Sequence, residues 1–206
     1  MSAAPAVVLF DLDGVLAHYD HAPRLRVLAE RSGTDADAVS RALFESGLER
    51  EADLGLHDVR GQVEEFARRL GRPVSLEDCV EARRAAVRAD AAVLALAGRL
   101  ASQAQVAILT NNNLLLREHL ATICPPLFPL FEGRVFCSAQ FRLAKPDPAI
   151  FLRCLAQLGA EPAQALFVDD KAENAEGARR AGLRAHRYTG LPALRAWLDG
   201  CGFADA

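Results

Sequence analysis

Four short runs of apolar, β-branched and aromatic residues punctuate this chain: Ala6–Phe10, Val106–Leu109, Arg134–Cys137 and Ala165–Val168. Their hydrophobicity is nearly continuous rather than alternating, the pattern of strands covered on both faces in a parallel sheet. A weaker fifth run lies near Arg184–Tyr188. Helical patterns separate the later runs. Leu114–Leu120 is one; a second opens with Asp147 as N-cap and Pro148 in its first turn. That second segment places Ile150, Phe151, Cys154, Leu155 and Leu158 on one face and stops at Gly159. A third covers Ala172–Ala181 and stops at Gly182. Strands alternating with helices predict an α/β fold built on a Rossmann-like, doubly wound parallel sheet.

The long interval between the first two runs shows no strand pattern. Val59, Val63, Phe66 and Leu70 recur at helix spacing between an N-cap at Asp58 and a stop at Gly71. Ser75-Leu76-Glu77-Asp78 reads as a capping box opening the next helix. A crossover between parallel strands needs only about a dozen residues. The excess predicts a helical cap subdomain, residues 17–90, inserted into a core made of residues 1–16 and 91–206.

Composition narrows the function. Apolar residues make up 51% and charged residues 25% of the chain, a balance that excludes a disordered or collagen-like polymer. A net charge of −3 gives no overall positive field, so neither nucleic acid nor a membrane surface is expected as a partner. The 5 cysteines are scattered with no CxxC pair, which argues against a disulfide framework or zinc knuckle and for a reducing compartment. The apolar stretch Ala3–Phe10 stops at Asp11, too early for a signal peptide, and Ala91–Ala97 is far shorter than the roughly 20 residues of a membrane span. A cytoplasmic protein is expected.

Chemistry-bearing residues gather at the ends of the apolar runs. Asp11 and Asp13 follow the first, in Phe10-Asp11-Leu12-Asp13-Gly14-Val15. Residues two apart on a strand face the same side, so two carboxylates can converge there, although Asp-Gly alone is also a common turn. Thr110 and Asn111 end the second run, and Asp169-Asp170 ends the fourth. Lys145 stands before a helix, and only it and Lys171 are lysines among 24 cationic residues. A compact ammonium kept in an arginine-rich chain points to a crowded anionic site. In parallel sheets, ligands bind beyond the carboxyl ends of the strands.

These segments, Asp11–Val15, Leu109–Asn111, Lys145–Phe151 and Phe167–Asp170, resemble the four signature motifs of the haloacid dehalogenase-like (HAD) hydrolase superfamily, in the family's order. Asn174–Ala178 and Ala181-Gly182 continue the likeness, which spans residue 6 to about 190. The long interval before Thr110 resembles the branch with a helical cap after the first motif. The resemblance implies Asp11 as nucleophile, forming an aspartyl-phosphate, and Asp13 as leaving-group acid and later base. It implies Thr110, Asn111 and Lys145 on the phosphate. It also implies Mg²⁺ held by Asp11, the Asp13 carbonyl and Asp170, with Asp169 nearby or bound through water; hard oxygen ligands suit that ion.

The function expected is therefore Mg²⁺-dependent hydrolysis of a small phosphorylated metabolite, such as a sugar phosphate. A phosphomutase, a haloacid dehalogenase and an inactive phosphate-binding regulatory module are the alternatives. Dehalogenation is disfavoured by Asp13 and the Asp169-Asp170 pair, and the inactive module by the presence of every motif residue. Monomer and homodimer both stay open. The 5 histidines share no ligand spacing. His18, Tyr19 and His21 read as hinge or surface, Lys171 as solvent-facing. Arg60, Arg68, Arg69, Arg83, Arg84 and Arg88 read as the solvated faces of helices rather than as a phosphate clamp.

Overall fold

The computed structural model describes residues 5–203, so the outermost residues of the expected core, and the start of the Ala3–Phe10 stretch, lie outside it. The chain opens with strand β1 (Val7–Phe10) and then β2 (Ala17–Tyr19). Helices α1 (His21–Ser32), α2 (Ala36–Ser40), α3 (Leu48–Asp53), α4 (Val59–Leu70) and α5 (Leu76–Ala86) follow, with a π-helical turn at Arg41–Glu45 between α2 and α3. Strand β3 (Val87–Ala89) and helix α6 (Ala91–Leu100) lead into β4 (Gln105–Thr110) and α7 (Leu114–Ile123). The remainder runs β5 (Val135–Cys137), α8 (Ser138–Phe141), α9 (Pro148–Leu158), β6 (Ala165–Asp169), α10 (Ala172–Arg180), β7 (Arg184–Arg187) and α11 (Leu191–Gly200).

Five strands form one all-parallel sheet in the order β5-β4-β1-β6-β7. Alternate residues of each strand feed opposite layers, as strand periodicity requires. Val8, Phe10, Val106, Ile108, Leu166 and Val168 pack with α6, α7 and α11. Val7, Leu9, Ala107, Leu109, Ala165 and Phe167 pack with α9 and α10. Helices on both faces make the sheet doubly wound, as its continuous hydrophobic strands predict. The order reverses at β1, which has β4 on one side and β6 on the other, and in such sheets ligands bind beyond the strand ends at this switch point.

Local chemistry sets the helix limits. Asp147 caps α9 through the Ala149 amide, and Gly159 ends it in the left-handed conformation. Asp58 caps α4, Gly71 ends it, and the Ser75–Asp78 capping box opens α5. Helix α7 runs to Ile123, beyond the expected Leu120, because Leu120 and Ile123 continue its buried stripe.

Residues 17–90 show no strand pattern in sequence, yet they contain two strands. Ala17–Tyr19 and Val87–Ala89 pair antiparallel, with Tyr19 opposite Val87, in a ribbon separate from the main sheet. Strands of three residues are too short to show a period. Between them, Leu28, Val39, Leu43, Leu48, Phe66 and Ala82 form a core that belongs to the helices themselves. These helices meet the sheet domain through α5 against α7, and through Asp53, whose carbonyl accepts from Ser138 Oγ at 2.6 Å.

Candidate active site

Because β1, β4 and β6 are neighbours in parallel register, the residues at their ends share one rim. Asp11 follows Phe10, Thr110 ends β4 and Asp169 ends β6, and all three are buried. Lys145 reaches the same point from the loop before α9, with only 4% of its surface exposed. Its ammonium lies 2.8 Å from Asp11 Oδ1 and 2.7 Å from Asp169 Oδ2, and donates to the Leu109 carbonyl at 3.0 Å.

Asn111 fixes that loop. Its side-chain amide donates to the Lys145 carbonyl at 2.9 Å, and its Oδ1 accepts from the Lys145 backbone N–H at 2.9 Å. Both ends of the Asn111 amide are thereby engaged with the main chain of the residue whose ammonium joins Asp11 and Asp169. Asp169 is saturated by donors. Its Oδ1 accepts from the Lys171 amide and Asn174, and its Oδ2 from Lys145 and Asn174.

Asp170 behaves differently from its neighbour. It is half-buried, and its Oδ1 is shut away from solvent with no hydrogen-bond partner among the described residues. Gly14, at φ +91°, allows this approach: a Cβ there would meet the Asp170 carboxyl at 2.8 Å. One oxygen each from Asp11, Asp169 and Asp170 lies within 4.8 Å of the others. A cluster of hard oxygens, one orphaned, fits a small divalent cation.

The electrostatics point the same way. Burial pushes Asp11 up to about 7; Lys145 opposes this, and Asp169 and Asp13 reinforce it. Burial also raises Asp170, with Asp169 adding to the effect. Burial by itself would lower Lys145, but the Asp11 and Asp169 carboxylates outweigh it and hold the ammonium above the ordinary lysine range. At ~4 Å, two carboxylates repel by roughly 4 kcal/mol at an effective dielectric of about 20. One ammonium among several acids therefore leaves a deficit of positive charge that a bound cation would remove.

Asp13 is held by two residues that the sequence reading gave no such role. Asn112 Nδ2 donates to Asp13 Oδ2 at 3.2 Å and to Thr110 Oγ1 at 2.9 Å. Arg83 of α5 approaches the same Asp13 oxygen at 3.3 Å and also donates to Asn112 Oδ1. Arg83 is 5% exposed, so the expectation of a solvated face fails for it. The signal lay in the pattern: Arg83 stands three residues after Val80 and three before Ala86, on the buried stripe of its helix. Asn174, within the family-like segment, lies one turn into α10, where it can turn back to the end of β6. Asn112 is hidden inside an Asn111-Asn112-Asn113 run, of which Asn113 caps α7. Lys171 is exposed, as expected.

A sequence model of the haloacid dehalogenase-like hydrolases matches residues 5–182. A protein of Mycobacterium tuberculosis (strain CDC 1551 / Oshkosh) named as a phosphatase is 28% identical, over 96% of this chain and 98% of its own. The structure of a predicted HAD-like family hydrolase from Porphyromonas gingivalis superposes with a TM-score of 0.75 at 24% identity, covering 95% of this chain and 98% of that one. A HAD family enzyme of Bacteroides thetaiotaomicron, solved with magnesium and inorganic phosphate, gives 0.74 at 20% identity, covering 89% and 93%. Both structures share the fold of this chain.

Proposed function

The chain belongs to the haloacid dehalogenase-like hydrolases, and on that basis we propose that it is a Mg²⁺-dependent phosphomonoester hydrolase acting on a small phosphorylated metabolite. One observation carries the reading. Asp11, Thr110, Lys145 and the Asp169-Asp170 pair gather at one rim of the sheet, and Asp13 and Asp170 each keep a buried oxygen with no partner among the described residues. The phosphatase name of the mycobacterial relative agrees with it.

In this mechanism the Asp11 carboxylate attacks phosphorus and the bond to the leaving oxygen breaks. Asp13 passes a proton to the departing alkoxide. It then takes a proton from the water that attacks the aspartyl-phosphate, releasing phosphate and restoring Asp11. Thr110 and Lys145 hold the phosphoryl oxygens, with Lys145 also steadying the charge of Asp11. Asn111 acts on the phosphate indirectly, by holding Lys145.

Asp11, the Asp13 carbonyl and Asp170 would hold the Mg²⁺, while Asp169, saturated by Lys145, Asn174 and the Lys171 amide, would orient its neighbours. The ion would supply positive charge against the phosphoryl oxygens. Residues 17–90 would act as a cap that excludes bulk water during the reaction.

The test is a screen of phosphorylated metabolites with and without Mg²⁺, alongside Asp11→Asn. Phosphate release that requires both the ion and Asp11 is expected, with the variant folded and nearly inactive. Release indifferent to both removes the mechanism. Transfer to a sugar exceeding transfer to water would make the protein a mutase, and halide release from a haloacid without Mg²⁺ would make it a dehalogenase.

A further inference from the structure

Asp13 has two oxygens in unlike surroundings. Oδ2 receives Arg83 at 3.3 Å and Asn112 at 3.2 Å, whereas Oδ1 is buried without a hydrogen-bond partner among the described residues. Arg83 is itself fixed from several sides. Its guanidinium lies 4.3 Å from the centre of the Tyr19 ring, donates to Asn112 Oδ1, and stands 3.6 Å from Glu49. Glu49 is in turn clasped by both terminal nitrogens of Arg24, at 2.6 and 2.9 Å. An ordered row of alternating charges thus runs from the interior of the helical segment to Asp13.

We propose that Arg83 is a positioning residue: with Asn112 it pins Asp13 Oδ2 and so fixes the carboxyl that handles the leaving-group proton. The proposal rests on the phosphatase reading above and adds a link to it. Arg83 belongs to α5, whereas Asp13 and Asn112 follow strands of the sheet domain. Asn112 holds Asp13 from within the sheet domain, and Arg83 adds a second hold that exists only while the helical segment is seated there. The engaged guanidinium is a poor candidate for a substrate-phosphate clamp, because its charge already faces Asp13 and Glu49.

The experiment compares wild type, Arg83→Met and Arg83→Lys on two probes. One is the fastest sugar phosphate from the metabolite screen, whose leaving alkoxide needs a proton. The other is p-nitrophenyl phosphate, whose nitrophenolate leaves without one. Arg83→Met should lower kcat on the sugar phosphate by about 10- to 100-fold with KM within about threefold, a share of what general acid catalysis supplies. First-turnover release of nitrophenolate should fall by less than about threefold, since that step asks nothing of Asp13. Arg83→Lys should recover part of the loss.

Equal losses on both probes would overturn the proposal in favour of a merely structural role. A raised KM at unchanged kcat would overturn it in favour of a substrate contact. Thermal melts report whether each variant folds; if Arg83→Met does not, the contrast between probes is read on Arg83→Lys, where a smaller loss confined to the sugar phosphate is expected. Wild-type hydrolysis of the probes tests the phosphatase reading separately, and a flat Arg83 series on active enzyme defeats the positioning role alone.

Discussion

Lys145 Nζ lies 2.8 Å from Asp11 Oδ1, with both side chains almost sealed from water. The same ammonium serves Asp169, so one cation holds two acids. Lys145→Met would leave those carboxylates unpaired in the interior. Breaking a buried pair by removing one partner costs about 3–5 kcal/mol. At roughly 2–4 °C per kcal/mol for a chain of this size, the melting temperature should fall by 6 °C or more. Scanning calorimetry of the metal-free protein checks this, and an unchanged melting point would mean that the pair adds nothing to stability.

Asn111 touches Lys145 only through its backbone, by two hydrogen bonds of 2.9 Å. Asn111→Ala should therefore misplace the ammonium and lower kcat by about 10- to 100-fold, the scale of small displacements of catalytic groups. Steady-state kinetics separate this from the direct phosphate contact implied by the family resemblance. A direct contact would raise KM and spare kcat.

Gly14→Ala would drive a methyl group into the Asp170 carboxyl and force a left-handed φ on alanine. The fold should survive with a loss of about 1–2 kcal/mol. Magnesium affinity should drop by about 10- to 100-fold, as for other changes beside metal ligands. Titration calorimetry with Mg²⁺ measures it; wild-type affinity in the variant would remove Asp170 from the ion's ligands.

Asp53 carries a pH dependence of its own. Burial pushes its carboxyl up to about 8, the Glu49 charge adds to this, and Arg83, Arg24 and the Asn113 amide oppose it. Its ordinary value is 3.8. Between these limits the unfolded chain loses the proton and the folded one keeps it, so this group lowers stability as pH rises. Asp53→Asn should match wild type near pH 4, gain on it steadily towards about pH 8, and hold a constant advantage above that. Denaturant unfolding across the range is the measurement. A difference independent of pH would show that the buried carboxyl ionises as it does in the unfolded chain.

The sheet was legible because its strands are covered on both faces and so read as unbroken apolar runs, and because caps such as Asp58, Asp147 and Gly159 mark helix ends by local chemistry. The meeting of Asp11, Thr110 and Asp169 was legible for a related reason: polar residues ending adjacent parallel strands share one rim. The contacts of Asp13 were harder to read. Arg83 meets Asp13 across 70 positions of sequence and Asn112 meets it across 99, and no local period encodes such pairings. Strands β2 and β3 carry no such signal, because three residues cannot establish alternation and their partners lie far apart in sequence.

That short ribbon sets where the chain crosses between its two parts. Tyr19 and Val87 face each other across a single pair of strands, so everything between them leaves and re-enters the protein at one doorway. Whatever this doorway carries away from the sheet therefore includes the cation that comes back to Asp13.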